Sequence, residues 1–355
     1  MLSLIVHLCT AVLASGFPDS SPSFPSTAAR RPHAERKISR LQSTTSKNVV
    51  ITGGTKGVGY ALAKRFLREG DRVIVCGRDA DRLAMAVEAL RRDPGVANDG
   101  AKASVGGILC DVGSPQDVER LGDFCVEQLG HIDVWVNNAG TVAGKRRRLS
   151  DLTPDDLKQV LDTNLLGTLL CCKKAIEIMS RQEQGGHIFN MDGAGVEGGA
   201  TKGYAAYGAS KRAMPQLSAS IREELKEANH NKIGVHNLSP GMVLTDLLLA
   251  DSTPAFRRFF NTLCEEPDTV ADYLVPRIRR VSGSGSYVKF LTIPQAVLKL
   301  ITGWPQIVFG GRFFDGDGNR VVADGAKYSE SGVKAQYDGV VDGKWRGATQ
   351  IPIDA

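Results

Sequence analysis

A chain of 355 residues, 42% of them hydrophobic, can bury a core of enzyme size, which excludes an extended disordered polymer. The formal charge of +5 overstates how basic the fold is, because Arg30, Arg31, Arg36, Lys37, Arg40 and Lys47 face only Asp19 and Glu35 ahead of Asn48; the rest is nearly neutral, which excludes a nucleic-acid-binding surface. The seven cysteines form no CxxC pair and no His/Cys cluster at ligand spacing, so a reducing compartment is expected, with neither a disulfide framework nor a metal site.

In chain order, the first element is a leader. Leu2–Ala14 is a mostly apolar stretch, too short to span a bilayer but of the length of a signal-peptide core, and the small residues Ala14-Ser15-Gly16 suit cleavage. Phe17–Lys47 is rich in Ser, Pro and Arg and poor in acids, the composition of a transit peptide. Residues 1–47 therefore read as a presequence, signal-like and then transit-like. From Asn48 onward, strands and helices alternate. Strands are predicted at Asn48–Ile51, Arg72–Cys76, about 103–110, Asp133–Asn137, His187–Asn190 and Ile233–Leu238. Between them lie helices Val58–Glu69, about 81–92, Pro115–Leu129, Pro154–Ser180 and one beginning near Tyr204, which Pro215 should bend. Short apolar strands joined by amphipathic helices predict an α/β fold, a doubly wound parallel sheet forming one domain over residues 48–280. Asp268–Arg279 completes that domain as a helix, and Ser282-Gly-Ser-Gly-Ser286 reads as a flexible hinge. Residues 281–355 form an irregular C-terminal extension with a helix at 290–304, and its last stretch of about 20 Gly- and Asp-rich residues is expected to be mobile.

Three short signals carry chemistry. Thr52-Gly-Gly-Thr-Lys-Gly-Val-Gly59 lies between a predicted strand and helix, where glycines let the backbone approach a dinucleotide pyrophosphate at a helix N-terminus. Thr52, Gly53, Thr55, Lys56, Gly57, Val58 and Gly59 are its cofactor-binding candidates. Lys56 in the turn and Arg78 after the second strand favour a ribose 2′-phosphate, hence NADPH; Asp79 lies one step too late to bind a 2′-hydroxyl. Asn137-Asn-Ala-Gly140 closes the fourth strand. Tyr207-Gly-Ala-Ser-Lys211 places a phenol and an ammonium on one helix face, and a neighbouring ammonium is expected to pull a phenol from its usual pKa of ~10 toward neutrality. Such a phenol is a proton donor for carbonyl reduction. Tyr204, with Gly208 four residues on, is not that acid.

With these residues placed, the chain resembles the short-chain dehydrogenase/reductase superfamily over roughly residues 48–245. The resemblance implies that Asn138, Ala139 and Gly140 support the adenosine side of the pocket and that Asp111 contacts adenine. It further implies that Asn164 helps hold a proton-relay water, and that Pro240, Gly241 and Thr245 line the nicotinamide carboxamide. One departure stands out: the family's serine at the end of strand five is missing from His187-Ile-Phe-Asn-Met-Asp-Gly-Ala-Gly195, where Asp192 or Gly193 takes its position.

Asn190-Met-Asp-Gly-Ala-Gly195, His236-Asn-Leu-Ser-Pro-Gly-Met242, Thr245-Asp-Leu-Leu248 and Tyr273-Leu-Val-Pro-Arg277 resemble the chlorophyll b reductases of the NYC/NOL type. So do Tyr287-Val-Lys-Phe-Leu-Thr292 and Arg312-Phe-Phe-Asp315. In that subgroup the serine is likewise absent. The implied activity is NADPH-dependent reduction of the 7-formyl group of chlorophyll b or chlorophyllide b, with Tyr207, Lys211, Asn164 and Asp192 as catalytic residues. Implied partners are a second copy or a related reductase, and the thylakoid surface through Phe290–Trp304. The leader resembles the two-part presequences of plastids with extra envelope membranes, implying the stroma or the stromal face of the thylakoid. Two other readings stand beside this one: reduction of another lipid, steroid or acyl carbonyl, and a non-catalytic NADPH-binding scaffold.

Overall fold

Val49, Val50 and Ile51 are all fully buried, which a strand achieves only with both faces covered. In the computed structural model they lie in β1 (Asn48–Thr52), at the centre of an eight-stranded sheet. The structure describes residues 45–97, 103–249, 252–322, 334 and 347–353, so the presequence lies almost wholly outside the described residues. β1 pairs in parallel with β2 (Arg72–Gly77) on one side and β4 (Val134–Asn137) on the other. With β3 (Ser104–Leu109), β5 (Gly186–Met191) and β6 (Ile233–Ser239), the order is β3-β2-β1-β4-β5-β6. The chain reverses direction across the sheet between β1 and β4, which opens a crevice at their C-terminal ends.

Helices α1 (Gly57–Arg68) and α2 (Ala80–Arg91) cover one face, where Phe66, Leu67, Leu83 and Leu90 meet Val73 and Val75 in one apolar cluster. α3 (Pro115–Leu129) covers the other, where Leu121 and Phe124 meet Trp135 and Ile188. The predicted single helix 154–180 is three pieces: α4 (Pro154–Leu161), a π-turn over Asp162–Leu166, and α5 (Gly167–Ser180). A π-turn widens the helix by one residue, and here it turns Asn164 inward to 0% exposure. α6 (Ala205–Glu227) runs on through Pro215, and Cys171 and Cys172 are core residues at 1% exposure each.

Beyond β6 the chain builds a flank beside the crevice. β7 (Met242–Val243) pairs with β8 (Cys264–Glu265), with α7 (Pro254–Leu263) between them in the chain; α8 (Pro267–Ile278) follows and packs Val270 and Leu274 into the cluster that holds Phe66 of α1. The expected hinge is instead a latch: Gly285 N donates to Val235 O at 3.0 Å, and Val235 N donates to Ser284 Oγ at 2.9 Å. Two backbone-level ties to β6 remove the freedom that its glycines suggest. They also aim the next residues, β9 (Tyr287–Lys289), along β6 as a further parallel strand. The predicted 290–304 helix appears as α9 (Ile293–Thr302), followed by α10 (Trp304–Phe309).

Of the last stretch of about 20 residues, expected to be mobile, 347–353 are described and are docked; the others lie outside the described residues. β10 (Gln350–Ile351) adds antiparallel to β3, with Ile351 0% and Ile353 4% exposed, and Arg91 Nη2 donates to Pro352 O at 2.6 Å. Two isoleucines in a polar tail carry enough apolar area to dock it, which average composition conceals. Ile351→Ala is expected to destabilise the fold by about 2–5 kcal/mol. Urea denaturation followed by circular dichroism measures this; an unchanged midpoint would show that the strand contributes nothing.

Candidate active site

The glycine turn is held from behind. Thr52 Oγ1 accepts from Asn138 N and Ala139 N, each at 3.1 Å, and Asn138 Nδ2 donates to Thr52 O and Gly53 O, each at 3.0 Å. Thr52 and Asn138 therefore lock the ends of β1 and β4 together. Gly53 and Gly57 have φ of +62° and +59°, where a side chain is strained. A Cβ on Gly59 would stand 2.3 Å from Gly53 O, so the helix start could not pack so closely with any other residue there. The result is a cradle of backbone at the N-terminus of α1, which fits a dinucleotide pyrophosphate. Val58 packs on the adjoining core, Thr55 is buried against Gly77, and Thr245 Cγ2 lies 3.4 Å from a Cβ placed on Gly57. Gly241 takes φ +70° where the chain turns out of β6 beyond Pro240. Lys56 precedes α1 and pairs with Asp246 at 3.5 Å.

At the ends of β2 and β3, Arg78 Nη1 lies 3.9 Å from Asp111 Oδ2, and both side chains are about half exposed at 47%. Asp111 Oδ1 accepts from Gly113 N at 3.0 Å, which fixes its carboxylate beside the pocket. Asp79 is occupied elsewhere, since it caps α2 by accepting from Arg82 N at 2.9 Å and pairs with the Arg82 side chain at 3.2 Å. That leaves Arg78 as the charged group at the end of β2, which suits a 2′-phosphate rather than a 2′-hydroxyl.

The region that carries Tyr207 and Lys211 is built around Asn164. Its Oδ1 accepts from Thr141 N at 2.8 Å, and its Nδ2 donates to Thr141 O at 2.9 Å and Ser210 Oγ at 3.1 Å. Ser210 Oγ in turn donates to Tyr207 O at 2.7 Å. Asn164 thus ties the loop after β4 to the first turns of α6, the turns that carry Tyr207 and Lys211. Gly140 borders the same space, where an added Cβ would come 3.7 Å from Lys211 Nζ.

Lys211 is 4% exposed and its Nζ donates to Met191 O at 3.1 Å, 5.9 Å from the Tyr207 ring centre. Burial pulls Lys211 down to about 8. The expected acidic phenol is not what the protein's own groups produce. Burial, with the Asp192 charge added, holds Tyr207 well above its ordinary value. Asp192 is 5% exposed, and burial raises its carboxyl to about 6 against the opposing pull of Tyr287, Ser239, Lys211 and Lys289. Its Oδ2 accepts from Tyr287 Oη at 2.5 Å.

The geometry separates Asp192 from Gly193. A Cβ on Gly193 would stand 2.1 Å from Tyr207 Oη, so position 193 is the one whose side chain would meet the phenol. Asp192 instead reaches toward β6 and β9. Sequence reasoning missed Tyr287, Ser210 and Thr141. Tyr287 lay inside a motif quoted as a resemblance, but nothing in a three-residue strand signals that it ends on Asp192.

The family model described as short chain dehydrogenase matches residues 47–254. Among curated proteins, the chain is 43% identical over 295 residues to chlorophyll(ide) b reductase NOL, chloroplastic, of Arabidopsis thaliana, with 81% of each chain covered. The protein of that name from Oryza sativa subsp. japonica is 45% identical over 270 residues, covering 75% of this chain and 76% of that one. Probable chlorophyll(ide) b reductase NYC1 of Arabidopsis thaliana is 46% identical over 286 residues, covering 78% of this chain and 56% of the relative; the chain spans about half the length of the NYC1 proteins it matches. Among solved structures, a short-chain type dehydrogenase/reductase from Mycobacterium marinum aligns with a TM-score of 0.60 at 25% identity, over 71% of this chain and 97% of that one. A short chain dehydrogenase from Burkholderia cenocepacia J2315 in complex with NADP aligns with a TM-score of 0.57 at 25% identity, over 68% and 96%. Arg78→Ala is expected to weaken NADPH binding about 10–100-fold, the worth of a charged hydrogen bond, and to leave NADH binding unchanged. Nucleotide fluorescence titration measures both constants, and equal losses would remove Arg78 from 2′-phosphate recognition.

Proposed function

The chain belongs to the short-chain dehydrogenase family, and from that premise we propose that it reduces the 7-formyl group of chlorophyll b or chlorophyllide b to 7-hydroxymethyl. The observation that carries this reading is identity of 43% across four-fifths of a chlorophyll(ide) b reductase, through the flank beyond β6 as well as the nucleotide-binding half. The cofactor is NADPH, which supplies the hydride when bound. Thr52–Gly59 and Arg78 hold and select it; Tyr207 gives its proton to the carbonyl oxygen. Asn164 fixes the turn of α6 that carries the phenol, so donor and carbonyl meet in one orientation. Gly193 leaves room for the Tyr207 hydroxyl where the family's serine would stand.

The substrate is a large apolar ring system, and the flank offers apolar surface to match. Leu298, Ile301, Trp304 and Phe309 on α9 and α10 are exposed by 60%, 65%, 55% and 72%. An apolar face of that kind supports contact with the pigment in its membrane, on the stromal side of the thylakoid. Leu161, Leu166 and Leu169, exposed on α4, the π-turn and α5, support pairing with a second copy or a related reductase through the same helices. A plastid address through the two-part presequence completes the reading, consistent with relatives whose names carry the word chloroplastic.

Incubation of the protein lacking residues 1–47 with NADPH and chlorophyllide b, followed by chromatography of the pigments, tests the proposal. Hydroxymethyl product is expected from the wild type. Tyr207→Phe is expected to lower turnover about 10²–10⁴-fold, the range for loss of a general acid. Gly193→Ala is expected to cost about 10²-fold by displacing the phenol. No product from the wild type would sink the reading, and full activity in Tyr207→Phe would remove the phenol from the chemistry.

A further inference from the structure

Three ionisable side chains meet at the end of β5: the buried Lys211 and half-buried Tyr207 from α6, and the buried Asp192, which follows the strand's last residue. A short-chain site of this kind needs its tyrosine as a neutral phenol to give a proton and as a phenolate to take one. Lys211 alone favours the phenolate, because an ammonium stabilises a nearby anion. A carboxylate in the same pocket opposes it, and here that carboxylate is anchored. Tyr287 Oη donates to it from β9, Asp192 N donates to Leu238 O at 2.8 Å, and Ser239 adds a further hydrogen bond from β6. Tyr287 is itself held in place, since Lys289 Nζ stands 4.1 Å from its ring centre and pairs with Glu197 at 2.6 Å.

Resting on the reduction assigned above, we propose that Asp192, positioned by Tyr287, offsets the charge of Lys211 and keeps Tyr207 protonated, so that the site is set to donate a proton to an aldehyde rather than accept one from an alcohol. Tyr287 is a positioning residue in this scheme, acting through Asp192. The proton balance is simple. Hydride adds to the formyl carbon, the C=O π pair moves to oxygen, and the Tyr207 O–H bond breaks to supply that oxygen's proton; solvent later returns one to Tyr207.

The signs follow from the facing groups. Above about 6 Asp192 is an anion and below about 8 Lys211 is a cation, so between these limits their charges cancel around the phenol. Removing the Asp192 charge makes Tyr207 easier to deprotonate and moves its pKa down; removing the Tyr287 hydrogen bond, which favours the Asp192 anion, moves the Asp192 pKa up. Lys289 also favours the Asp192 anion, and Glu197, its partner, faces Tyr287.

The test reads tyrosinate absorbance as a function of pH in Asp192→Asn, with and without Tyr207→Phe, so that the Tyr207 contribution is obtained by difference. Asp192→Asn is expected to move the Tyr207 transition down by about one pH unit or more, and with it the alkaline limb of the reduction rate. Tyr287→Phe, which releases the Asp192 carboxylate, is expected to move the Tyr207 transition down in the wild-type background, by less than Asp192→Asn does, and to have no effect on it in Asp192→Asn. An unmoved Tyr207 transition in Asp192→Asn, or a Tyr287→Phe shift equal in both backgrounds, would overturn the proposal. The absorbance titration needs no pigment, so absence of chlorophyllide reduction would count against the preceding function and not against this assignment.

Discussion

The structure turns on a cost: three ionisable groups share one buried crevice, and each is tolerable only because the others are near. An isolated ammonium at Lys211 or carboxylate at Asp192 would lose several kcal/mol of hydration on burial. Their opposite charges offset part of that cost, and hydrogen bonds offset more, from Lys211 to Met191 O and from the Tyr287 hydroxyl to Asp192. The phenol beside them needs no charge at rest. A pocket arranged in this way is neutral overall and still rich in hydrogen-bonding groups, which is what an apolar aldehyde with one polar tip requires.

The scaffold exists to hold those positions. Thr52 and Asn138 fix the two strand ends that bound the crevice, and Asn164 joins the following loop to α6. Asn138 spends its amide on the backbone of Thr52 and Gly53, and Asn164 on the backbone of Thr141 and the Ser210 hydroxyl. Their value is geometric: without them, Tyr207 and the glycine cradle would be set on independent loops. The π-turn belongs to the same logic, because an ordinary helical turn would leave Asn164 on a different face.

Much of this was legible in the chain itself. The parallel sheet, the glycine turn and the Tyr207/Lys211 pair follow from local spacing, since period, turn chemistry and helix faces are short-range properties. What was not legible depends on distant residues meeting. The π-turn hid inside an unbroken amphipathic pattern from Pro154 to Ser180. The Gly-Ser run at 282–286 looked loose because its ties to Val235 lie far away in sequence. Tyr287 was visible as part of a motif but not as a ligand of Asp192. The ionisation of Tyr207 was misjudged because the pattern counts a lysine four residues away and cannot see the depth of the pocket or the carboxylate across it.

The last few residues have a meaning beyond their own packing. A bare strand margin is a template on which a neighbouring molecule can lay its own backbone, and β3 would be such a margin without the segment that returns to pair with it. The polar end of the polypeptide thus serves as a selvedge: it finishes the fabric of the sheet at the edge opposite β9 and discourages fibre-like growth.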